Sequence, residues 1–129
     1  MKTVLSFVVG GMILLLVSGS GVGPQDSKRA KMAMTTILVD TTLVRAEEVN
    51  LGPGQKTATH SHPAYFFRMI TDGKLLVHYT DGTKETYDLK VGDSAFSGPE
   101  RPHVTENVGK KIVKFLLVEL KEHPYKESK

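Results

Sequence analysis

The chain has 129 residues, 40% apolar and 24% charged, which suits one ordinary globular domain and excludes a disordered chain. The formal charge is +3, but the basic residues are scattered and no aromatic residues interleave with a basic run, so no nucleic-acid surface is expected. There is no cysteine, which removes disulfides, thiolate metal sites, a cysteine nucleophile and a lipid-anchored N-terminal cysteine.

The N-terminal stretch MKTVLSFVVGGMILLLVSGSGVG sets Lys2 before an apolar run from Val4 to Val17, followed by small residues from Ser18 to Gly21. A charged start, an apolar centre and small residues near a cut are the layout of a secretory signal peptide, read here as residues 1–23. The rival reading is an uncleaved anchor. The run reaches the roughly 20 residues a bilayer requires only if the Gly/Ser stretch is counted. Either way the folded part is expected outside the cytoplasm, periplasmic or extracellular, and an uncleaved anchor is the only membrane contact expected. Residues 24–34 are polar and Lys-rich and read as a linker or loose N-terminal arm.

From Thr35 onward, short β-prone runs follow one another: TTILVD, TLVRAEEVNL, KTATHSH, AYFFRMI, KLLVHYT, KETYDLK, SAFS, HVTEN and IVKFLLVELK. Turn residues separate them, among them Gly52-Pro53-Gly54, Asp72-Gly73, Asp81-Gly82, Gly92-Asp93 and Gly98-Pro99. Asp-Gly between two apolar runs is a hairpin signal. Strands recurring every 8–12 residues or so predict an all-β sandwich or barrel over residues 35–121. The last run competes as a helix segment, but its β-branched and aromatic content and its shortness favour a strand. Residues 122–129, EHPYKESK, read as a polar, frayed tail. TTILVD is the strand expected to reach a second copy in a homodimer, since exposed sheet edges are commonly covered by pairing.

His60 and His62 lie at i and i+2, so on a strand both point to one face. His103 comes some forty residues later, on another run, and would close a metal site only in the folded chain. Imidazole suits Zn, Fe, Cu, Ni and, less well, Mn. In a chain with five histidines an H-x-H pair alone also fits chance, so both readings stand at this point. His78 reads as a strand residue with a smaller claim on a cavity, and His123 as solvated.

The surrounding spacing adds to this. Gly54-x5-His60-x-His62, with Gly73 after it, resembles the first motif of the cupin superfamily, G-x5-H-x-H-x3,4-E-x6-G. Gly92-Asp93-x9-His103-x3-Asn107 resembles the second, G-x5-P-x-G-x2-H-x3-N, and the layout is similar to small single-domain bacterial cupins. The resemblance implies a double-stranded β-helix, or jelly-roll, barrel. It also implies a divalent transition metal (Fe, Zn, Mn, Ni or Cu) held by His60, His62 and His103. Two departures stand out. Where the first motif has its glutamate, this chain has Phe66, followed by Phe67. In the second motif Gly98 stands at the proline position and Glu100 at the glycine position. Phe66 is therefore expected to set an apolar ring beside the ion. Tyr65 has two readings, an outward strand residue or a polar handle in the site. Tyr65, Phe67, His78 and Asn107 are the candidates for lining a pocket for a small-molecule ligand.

Two functions follow from this reading. One is an exported metal-dependent enzyme of dioxygenase type acting on a small organic molecule, with Glu100, Glu106 and His78 as candidate bases. The other is a non-catalytic barrel that binds a small ligand or a metal, with Phe66, Phe67 and Met69 lining an apolar pocket. No G-x-S-x-G elbow and no phosphate-binding loop is present, which argues against a nucleophilic hydrolase or a nucleotide enzyme.

Overall fold

Alternation of side chains along short strands builds this molecule. In Gly73–Tyr79, Leu75, Val77 and Tyr79 are buried while the residues between them face outward; in Glu100–Asn107, His103, Thr105 and Asn107 are buried in the same way. The structure, a computed structural model, describes residues 33–129. The expected signal peptide and residues 24–32 of the expected arm lie outside the described residues.

The described residues form nine strands and no helix: β1 (Met34–Asp40), β2 (Val44–Leu51), β3 (His60–His62), β4 (Tyr65–Met69), β5 (Gly73–Tyr79), β6 (Lys84–Leu89), β7 (Ser94–Ser97), β8 (Glu100–Asn107) and β9 (Val113–Leu120). They make two antiparallel sheets, ordered β1-β2-β9-β4-β7 and β3-β8-β5-β6. Apart from the β5–β6 hairpin, successive strands from β2 to β9 alternate between the two sheets, as in a jelly roll. The all-β expectation holds, with local differences. Asp81-Gly82 does turn a hairpin, β5 to β6, with Gly82 at φ 94°. Asp72-Gly73 instead connects strands of different sheets. Gly73 is small for another reason: a Cβ there would stand 2.6 Å from a methyl group of Val113. The strand carrying HVTEN begins three residues earlier, at Glu100. The tail is docked at its start, where the Ala64 N–H donates to the His123 carbonyl at 2.8 Å.

The register gives the interior a direction. At one end Tyr65 lies opposite Glu119 and Tyr79 opposite His103. In the middle Phe67 faces Leu117 and Val77 faces Thr105. At the other end Met69 faces Phe115 and Leu75 faces Asn107. The apolar cluster of Met69, Leu75 and Val113, flanked by Phe67, Leu89 and Phe115, closes that last end by joining the two sheets. Polar and aromatic groups are left to gather at the opposite end.

Candidate metal centre

β3 is only three residues long, yet it sets two imidazoles on one face, with Ser61 exposed between them. β8 runs beside it, and His60 pairs directly with His103. A ligand forty residues away thus reaches the same spot through one strand pairing. The ring centroids of His60 lie 4.6 Å from His62 and 4.5 Å from His103. Among the described residues these three form one group whose ligand atoms all lie within 4.8 Å of one another.

The hydrogen bonds fix which nitrogen faces inward. Nδ1 of His60 lies 2.7 Å from the Ala58 carbonyl, Nδ1 of His103 lies 2.8 Å from the Arg101 carbonyl, and Nδ1 of His62 lies 2.7 Å from Glu119 Oε1. Carbonyl and carboxylate oxygens only accept, so each Nδ1 carries the proton and each Nε2 keeps its lone pair. Burial, as the main cause, and the neighbouring imidazoles hold the His60 pKa below its usual value, against the opposing pull of the Ala58 bond. A neutral ring is the form that ligates metal. Nε2 of His60 and Nε2 of His62 stand 3.1 Å apart. Two lone pairs facing at that distance repel unless a cation or proton lies between them. Two nitrogens at ordinary metal–N lengths stand about 3.0 Å apart as neighbours on an octahedral ion and about 3.3 Å apart on a tetrahedral one, and the observed separation lies between. The residues present therefore fit a divalent ion, and Glu119 behind His62 completes the carboxylate–histidine arrangement common around such ions.

A cavity of about 740 Å³ opens from the histidines into the barrel, walled by Val49, Phe67, Met69, Leu75, Phe115 and Leu117. Tyr65 points into it: its ring centroid is 4.9 Å from that of His62, and its hydroxyl donates to Glu100 Oε2 at 2.5 Å. Tyr79 donates to Glu100 Oε1 at 2.8 Å. Burial first, and the adjacent Glu100 second, raise the pKa of both phenols well above normal, so both remain donors.

Other expected site residues fall elsewhere. Phe66 is on the outer face of β4, because Tyr65, Phe67 and Met69 take the inward positions; the ring facing the cavity is Phe67. His78 does not line the cavity. It lies on the outer face of β5, with Nε2 2.7 Å from Glu106, which Lys56 also approaches. That placement removes His78 and Glu106 as candidate bases at this centre. Asn107 is fully buried but its amide is used by the backbone: it donates to the Leu51 and Lys111 carbonyls and accepts from the Gly109 N–H. Glu119 was missed. Its signal was present in IVKFLLVELK, where every second residue from Val113 to Leu117 is apolar and inward, and the next inward position is a carboxylate.

A family model described as "Cupin domain" matches residues 47–119, and the chain belongs to the cupin superfamily. Solved structures agree. A cupin domain from Bordetella pertussis Tohama I is 28% identical over 69% of this chain and 93% of its own, with a TM-score of 0.63. A double-stranded β-helix protein from Klebsiella pneumoniae is 25% identical over 70% of this chain and 77% of its own, with a TM-score of 0.57. An RmlC-like cupin from Methanocaldococcus jannaschii matches in fold, at 21% identity and a TM-score of 0.55, over 85% of this chain and 93% of its own. No curated protein matches the chain.

Proposed function

We propose that this cupin is an exported protein that holds one divalent transition metal through His60, His62 and His103 and presents it to a small, mainly apolar molecule in the barrel. The observation that carries this reading is the convergence of three Nε2 atoms, each turned inward by an acceptor on its Nδ1. The ion, when bound, supplies Lewis acidity and coordination positions beyond the three imidazoles, which suits dioxygenase-type chemistry. The chain's own part is to orient the imidazoles and to place Phe67 and Leu117 where an apolar ligand body would lie. Tyr65 and Tyr79 direct hydroxyl donors toward the same end. A non-catalytic ligand-binding barrel is the second reading. It is favoured by the apolar depth of the cavity, whose walls beyond the histidine end carry few groups able to move a proton. Export rests on the N-terminal sequence. A homodimer is part of the proposal, supported by β1, an edge strand exposed along its whole length.

The test is elemental mass spectrometry of protein purified without chelator, beside a His60→Ala/His103→Ala variant. The expected result is about one iron, manganese, copper, nickel or zinc ion per chain in the wild type and none in the variant. A wild type that stays metal-free after anaerobic reconstitution sinks the proposal. Oxygen uptake by iron-loaded protein with small organic substrates then separates enzyme from binding barrel.

A further inference from the structure

Three neutral imidazoles leave the full charge of a divalent ion uncompensated, and the carboxylate of the first cupin motif is absent here. A different carboxylate faces the centre. In the β3–β8 pairing, His60 lies opposite His103 but His62 lies opposite Glu100. Two steps along β3 thus match three along β8, so β8 carries one extra residue, a β-bulge. Bulges re-aim side chains, and this one occurs where Pro102, which cannot donate to a ladder, sits inside an inner strand. The consequence is an i, i+3 pair, Glu100 and His103, on one face of a strand where regular alternation would separate them. Glu100 occupies the position where the second motif has glycine.

The carboxylate is fixed in place. Tyr65 holds Oε2 at 2.5 Å and Tyr79 holds Oε1 at 2.8 Å, leaving each oxygen a further lone pair. Its side chain is only 16% exposed, and Oε2 lies 4.0 Å from His103 Nε2. Donors on opposite sides of one six-coordinate ion, each at ordinary N and O ligand lengths, stand about 4.1 Å apart. We propose that Glu100 is the acidic ligand of this centre, supplied from β8 by the bulge in place of the glutamate that β4 lacks. The inference rests on the three-histidine reading and deepens it. The site then joins three imidazoles to one hard oxygen donor, a set that admits Mn(II) and Fe(II) better than histidines alone.

The test compares wild type, Glu100→Gln and His60→Ala/His103→Ala in titrations with Mn(II), followed by electron paramagnetic resonance of the free ion, and with Zn(II), followed by chelator competition. The expected result is loss of both ions in the double-histidine variant. In E100Q, Mn(II) affinity should fall at least about tenfold, with a smaller change for Zn(II). Unchanged Mn(II) affinity in E100Q overturns the inference and leaves the histidine site standing. A wild type that binds neither ion removes the histidine site itself. The wild type alone decides the point if E100Q does not fold. Glutamate labelled with 13C at its side-chain carboxyl should give a carbon hyperfine coupling to bound Mn(II), and its absence overturns the assignment.

Discussion

His62 shows how a single residue is prepared for the proposed role of ligand. Its ring is nearly buried, its Nδ1 is held by Glu119 from the other sheet, and its Nε2 has no choice but to face His60. Replacing Glu119 by Gln leaves an amide of the same size but removes the charge that holds the Nδ1 proton and the ring's orientation. Metal affinity should drop about 10- to 100-fold, read by competition with a chelator, while the apo protein melts near the wild-type temperature. The convergence of the three histidines was legible in the sequence because an i, i+2 pair and a spaced motif both encode strand geometry. Glu119 was not, because its role depends on which of two sheets β9 joins. Counting from the motif puts Phe66 beside the centre, but in the structure the inward positions of β4 start at Tyr65 and continue at Phe67.

At the scale of elements, irregular positions matter as much as regular strands. Strand number and all-β class could be read from alternation and turn residues, since those are local properties. The bulge in β8 could not, since it is visible only against the register of β3. Gly73 makes the same point. Its Asp-Gly context suggested a turn, whereas its lack of a side chain lets β5 begin against the almost wholly buried Val113. Gly73→Ala should force Val113 or the strand to move and cost about 1–3 kcal/mol, measured by chemical denaturation. The affected end is the closed apolar one, so metal stoichiometry of the folded fraction should stay at the wild-type value.

Over the whole molecule, the interior grades from a polar end with histidines, tyrosines and carboxylates to an apolar plug. Among the described residues, β1 carries a run of exposed large apolar side chains along one edge strand: Met34, Ile37, Leu38 and Val39. The proposed dimer would cover them. Ile37→Lys/Val39→Lys should therefore halve the mass seen by light scattering while leaving the barrel folded by circular dichroism. A wild type that is monomeric at high micromolar concentration would remove the dimer from the proposal.

The location of the three histidines has one more consequence. All of them belong to β3 and β8, neighbours in one sheet, whereas the carboxylate behind His62 belongs to β9 in the other. If the two sheets part at this end to admit a guest, the spacing among the imidazoles stays as it is, but the grip of Glu119 on His62 loosens. The cage rides on one wall and its tensioning screw on the opposite wall, so any opening there and the hold on the proposed metal would be mechanically linked.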